Sequence, residues 1–153
     1  MDPLELEYRK YFPMLSAKCR RMLEDHDEAT DIAQETFIRY WQNQKRITSD
    51  ERVITAWLYR TATRLSLDRF RRRTVRERLL PPDEIPVEPD DVLAHRQQLR
   101  QLAGALSEDE LELAILSRID RLTQIELAEA LDCSERTVRR ALTRLETRLG
   151  ELA

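Results

Sequence analysis

The 153-residue chain is 41% hydrophobic, enough apolar side chain for one medium domain or two small ones to fold. Only two Gly are present, and Leu, Ala, Glu, Arg and Gln are plentiful, which predicts an all-α protein without hairpins. No apolar run reaches the ~18 residues of a membrane span, and Asp2, Glu5 and Glu7 stand where a secretion signal would place basic residues. Membrane insertion and secretion are therefore not expected. Cys19 and Cys133 lie far apart with no His at ligand spacing, so neither a zinc site nor a disulfide framework is indicated, and a reducing cytoplasm suits both. Nothing in the chain assembles a nucleophile, a base and an oxyanion hole, so neither an enzyme nor a cofactor is expected.

The net charge of -3 conceals a strong asymmetry. Residues 1–78 carry 17 Lys and Arg against 13 Asp and Glu, residues 79–92 carry none against 5, and residues 93–153 carry 9 against 11. The middle stretch combines Pro81, Pro82, Pro86 and Pro89 with Asp83, Glu84, Glu88, Asp90 and Asp91, a composition unsuited to helix, and reads as a flexible linker between two helical domains.

In the first domain, Leu4, Tyr8, Tyr11, Phe12, Leu15, Cys19, Met22 and Leu23 recur at spacings of three and four and mark one helical face. Pro13 interrupts it, which predicts a kink or two consecutive helices. A second helix is expected from Asp27 as N-cap, with Ala29, Ile32, Ala33, Phe37, Tyr40 and Trp41 inward and Asp31, Gln34, Glu35 and Arg39 outward. The acids of its first turn are favoured there by the helix dipole, and no paired His accompanies them to make a metal site.

A third helix, from about Glu51 to Arg73, sets Ile54, Leu58, Ala62 and Leu65 on a core face with Trp57, Tyr59, Arg60, Arg64 and Arg69 around it. Aromatics interleaved with Arg suit single-stranded nucleic acid, because unstacked bases need flat surfaces and the backbone needs cations. The alternative is that Trp57 and Tyr59 are ordinary core aromatics. The helix ends in Arg69, Arg71, Arg72, Arg73, Arg76 and Arg78, which either meet phosphate or form a solvated basic end favoured by the dipole.

The run from Asp31 to Trp41 (DIAQETFIRYW), followed by Ala56 to Arg60 (AWLYR) and Leu65 to Arg73 (LSLDRFRRR), resembles conserved region 2 of the bacterial extracytoplasmic-function (ECF, group 4) sigma factors of the sigma-70 family. The resemblance implies that Asp31, Gln34, Glu35 and Arg39 dock on the beta-prime clamp helices of core RNA polymerase. It implies minus-10 promoter binding through Lys45, Arg46, Trp57, Tyr59, Arg60, Arg64, Arg69, Arg71, Arg72 and Arg73, with a flipped base held in the loop from Asn43 to Arg52. Arg64 stands where the family usually has Asn, so base preference there does not carry over.

Beyond the linker, Val92, Leu99, Leu102, Ala103 and Leu106 outline another helix. Ser107 with Glu110 then makes a capping box stapled by Leu106 and Leu111, and Thr123 with Glu126 repeats the device between Leu122 and Leu127. A third N-cap at Ser134 follows a turn of about Asp132, Cys133 and Ser134, which gives a helix-turn-helix. Cys133 takes the staple position opposite Val138. On the last helix Val138, Leu142, Leu145 and Leu149 form one stripe, with Arg136, Arg140, Thr143 and Thr147 opposite and Arg139 and Arg144 flanking. Such a face either enters a major groove or is merely solvated.

The segment from Leu106 to Leu149 is similar to sigma region 4, which implies minus-35 contacts by Arg136, Thr137, Arg139, Arg140, Thr143 and Arg144 and a partner in the polymerase beta flap. Arg121 and Asp132 replace glycines common in the family, and Ala141 stands where Arg is common. Taken together, the resemblance implies region 2 over 1–78, a linker over 79–92 and region 4 over 93–153. The expected function is an alternative sigma factor that brings core polymerase to promoters, with promoter DNA and an anti-sigma factor as further partners. A helix-turn-helix regulator independent of polymerase and a sigma-like partner-binding decoy are the alternatives. A nuclease built on the acidic second helix would need divalent-dependent cleavage.

Overall fold

The structure, a computed structural model, describes residues 2–23, 25–47, 50–84 and 90–152, without the side chains of 91–96. It is all α-helical among those residues. Residues 85–89 of the expected linker, Thr48 and Ser49 of the expected base-capturing loop, and the side chain of Val92 lie outside the described part.

The first helix, α1 (Pro3–Met22), starts where Asp2 accepts a hydrogen bond from the Leu4 N–H at 3.2 Å and Pro3 supplies a fixed φ. It is continuous through Pro13, not two helices as the proline predicted. Pro13 faces solvent, where water can satisfy the carbonyl its missing N–H leaves free. Leu4 and Tyr8 are exposed, and burial begins at Tyr11.

Helix α2 (His26–Asn43) is capped two residues earlier than expected, because Asp25 Oδ1 accepts from both Asp27 N–H (2.9 Å) and Glu28 N–H (3.2 Å). Helix α3 (Glu51–Leu79) is capped by Asp50 and runs well past Arg73. Its extra turns are tied down by charge: Arg73 lies 3.2 Å from Glu28 of α2 and 3.5 Å from Glu77 one turn on.

After a single 3-10 turn at Pro82–Glu84, helix α4 (Asp90–Ala105) begins inside the acidic stretch, and its Arg100 pairs with Glu77 of α3. Helix α5 (Glu108–Ala114) carries the expected reciprocal capping box of Ser107 and Glu110. A π-helical turn, Ile115–Ile119, extends it and ends at Asp120, whose N–H reaches Ile115 O at 3.0 Å. Helix α6 (Gln124–Leu131) has the second box, Thr123 with Glu126, and Ser134 Oγ caps α7 (Glu135–Leu152) by accepting from Thr137 N–H at 3.1 Å.

Both family glycine positions adopt the left-handed conformation, with φ 56° at Arg121 and 53° at Asp132. Asp132 N–H closes α6 onto the carbonyls of Ala128 and Glu129, the backbone shape that glycine takes without strain. Val138 and Leu145 are fully buried, and Leu142 and Leu149 pack partly buried beside them.

The two halves are not held apart. Leu15, Ile32, Phe37, Leu58, Leu111, Leu116, Leu127 and Leu145 belong to one contiguous buried cluster, with α3 packed against α6 and the π-helical turn. No helix among the described residues is long and apolar enough to cross a membrane.

Candidate nucleic-acid and polymerase interfaces

The cation-aromatic pattern of α3 resolves into two sides. Arg46, Trp57, Arg60 and Arg64 line one open cleft of about 920 Å³ together with Arg39, Asn43, Thr61 and Asp68. Trp57 is half-buried, its ring 6.3 Å from that of Tyr40, so one edge is anchored while the rest borders the cleft. A flat indole among guanidinium groups provides stacking area and phosphate contacts in one place. Lys45 is exposed in the turn after α2, beside Arg46.

Tyr59 does not join them. It points toward α1, where Lys18 Nζ sits 5.7 Å from its ring centroid. Helical geometry explains the split, since residues two apart face different directions.

The basic end of α3 is largely engaged within the chain. Arg69 approaches Asp31 at 3.8 Å, Arg72 pairs with Asp68 at 3.0 Å, Arg73 bridges Glu28 and Glu77, and Arg71 pairs with Glu108 of α5. The pairs of Arg69, Arg71 and Arg72 are partly or fully exposed, so water and salt can replace them at little cost.

Asp31, Gln34 and Arg39 are exposed along one side of α2, and Glu35 is half-buried between them, 3.0 Å from Arg39. This polar ridge is backed by Ile32, Ala33, Phe37 and Tyr40 in the core. On α7, Arg136, Thr137, Arg139, Arg140, Thr143 and Arg144 are all exposed. Thr143 donates to the Arg139 carbonyl at 3.0 Å, which leaves the Arg side chains as the outward groups.

Sequence reasoning missed the residues that join the halves. Glu112, only 6% exposed, receives Arg60 Nε at 2.7 Å on one carboxylate oxygen and Arg64 Nε at 3.2 Å on the other. Arg60 also donates to the Ala130 carbonyl at 3.2 Å. Asp120 receives Lys18 at 2.6 Å and Arg21 at 3.1 Å, with the Lys18 and Asp120 side chains both at 0% exposure. Burial pushes the Lys18 ammonium below its usual range against the pull of Asp120. The available signal was a Lys on the apolar stripe of α1, one residue from Cys19, which only a buried acid elsewhere could match.

An all-helical chain ending in a helix-turn-helix, with a polar ridge on α2 and a cationic cleft on α3, defines the structural class. Residues 7–76 match the sigma-70 region 2 family. The chain is 30% identical over 142 residues to the ECF RNA polymerase sigma factor SigW of Bacillus subtilis (strain 168), a match covering 82% of this chain and 75% of that protein. A solved structure of the sigma factor RpoE in complex with the anti-sigma factor NepR, from Bartonella quintana, has the same fold, with a TM-score of 0.56 and 22% identity over 97% of this chain and 94% of that one. The protein belongs to the ECF sigma factors and is an alternative sigma factor of RNA polymerase.

Proposed function

We propose that residues 1–78 bind core polymerase and open the minus-10 element, and that residues 93–153 hold the minus-35 element. The observation that carries this is the convergence of Arg46, Trp57, Arg60 and Arg64 on one cleft in a chain that also exposes the Arg and Thr face of α7. The cleft suits bases released from the duplex, and α7 suits a major groove. The ridge of Asp31, Gln34, Glu35 and Arg39 supplies a docking face for the beta-prime clamp helices, and the C-terminal half one for the beta flap. The chain performs no chemistry of its own and works in the cytoplasm.

An anti-sigma factor is a further partner in this reading, supported by the solved relative captured with one. Footprinting tests the reading. Protection of both promoter elements should require core polymerase together with this chain. Protection by the chain alone, unchanged by core, would instead make it a free-standing regulator.

A further inference from the structure

We propose that the C-terminal half masks the α3 cleft in the free chain, with Glu112 occupying the guanidinium groups of Arg60 and Arg64 as a phosphate would. The inference rests on the reading that this cleft takes single-stranded DNA. Glu112 has the chemistry of a surrogate: two anionic oxygens, each taking one Arg Nε, at 2.7 and 3.2 Å. Glu129, Ala130 and Asp132 form the wall of the same cleft, so α6 stands where a nucleic-acid strand would run. Glu129 adds charge to that wall, its Oε1 3.8 Å from Arg52.

The masking is one-sided. Every candidate base-reading residue of α7 stays exposed in this arrangement, and so do Asp31, Gln34 and Arg39 of the α2 ridge. Core polymerase can therefore meet the ridge before the cleft opens, and only the minus-10 surface is withheld.

The contact is also built to be undone. Its polar anchors are charge pairs, Arg60 and Arg64 with Glu112 and Lys18 and Arg21 with Asp120, and all of these groups regain hydration when the halves separate. Glu129 Oε2 is buried with no hydrogen-bond partner among the described residues, a loss that separation would also remove. Phosphate or salt competes directly for the exposed part of this network, since the Arg64 side chain is 56% exposed.

The test uses the full chain, Glu112→Gln, small-angle scattering and binding of a short random-sequence single-stranded DNA. Glu112→Gln keeps the shape and removes the charge. It should enlarge the particle and tighten single-strand binding roughly threefold to tenfold, because apparent affinity scales with the open fraction. Binding of a random-sequence duplex through α7 should stay unchanged. Raising salt should enlarge the parent chain as well, a measurement independent of whether the variant folds. Unchanged dimensions in both experiments, or expansion without tighter single-strand binding, would overturn the masking. Promoter opening by holoenzyme carrying Arg60→Ala and Arg64→Ala separates the two ideas. Impaired opening there, with no gain from Glu112→Gln, refutes the masking alone, whereas unimpaired opening removes the DNA reading beneath it.

Discussion

Lys18 Nζ donates to Asp120 Oδ2 at 2.6 Å, a fully buried ion pair that joins α1 to the end of the π-helical turn more than a hundred residues on. Removing one partner leaves the other charge buried without compensation, which typically costs about 3 to 5 kcal/mol. Asp120→Ala should therefore lower stability in urea unfolding by about that amount. The double replacement Lys18→Met with Asp120→Leu should recover most of the loss, since a well-packed apolar pair can equal a buried ionic one. A double variant as unstable as Asp120→Ala would mean that the charges themselves are needed.

Reversal of Glu35 tests the α2 ridge. Glu35 touches only Arg39 among the printed charge pairs, an exposed helical pair worth a few tenths of a kcal/mol. Glu35→Lys should leave helical content and melting nearly intact while weakening the complex with core polymerase severalfold or more. Equal core affinity in variant and parent would remove the ridge from the docking surface.

Arg136 and Arg140, one turn apart and exposed on α7, are placed to separate base reading from phosphate attraction. Replacement of either by Ala should cost about 1 to 3 kcal/mol on the preferred minus-35 sequence and much less on a sequence altered at the base pair it reads. Holoenzyme binding across single-base substitutions of a mapped promoter checks this. Arg148 is tied instead to Glu110 at 3.3 Å and to the Ala105 carbonyl at 2.7 Å, so its loss should act on stability first.

The two thiols should report the packing directly. Cys19 is at 0% exposure, and burial pushes its thiol from 9.0 up to about 11, while Cys133 is half-buried beside the turn. A thiol reagent near pH 8 should therefore label Cys133 first and Cys19 only after unfolding. The fold holds the Cys19 proton more tightly than the unfolded chain does, so stability should fall as pH rises from about 9 toward 11. Equal labelling rates for both in the native chain would contradict the buried α1 stripe.

Much of the secondary structure was legible in the residues because its signals are local. Ser107 with Glu110 and Thr123 with Glu126 name helix starts unaided, and both boxes close as expected. Arg121 and Asp132 were marked as glycine replacements, and both sit at positive φ. Tolerance of Pro13 was not legible, because it depends on which face of α1 meets solvent. The length of α3 was hidden too, since its last turns are held by Glu28 and Arg100, one far before and one well after Glu77 in the chain. The candidate site was half legible: periodicity grouped Trp57, Arg60 and Arg64, but nothing local pairs Arg60 with a Glu112 fifty-two residues away. Long-range charge pairing leaves no periodic trace, and the proline-rich stretch between the halves pointed toward independence instead.

Run-off transcription from genomic fragments, with purified core polymerase and this chain, followed by mapping of the transcript starts, tests the central claim most directly. The account predicts discrete starts absent with core alone, each preceded by the same pair of elements near minus-35 and minus-10. It also predicts that Arg60→Ala with Arg64→Ala lowers transcription from these starts without moving them. A transcript pattern identical to that of core alone, with the chain folded and bound to polymerase, would contradict it.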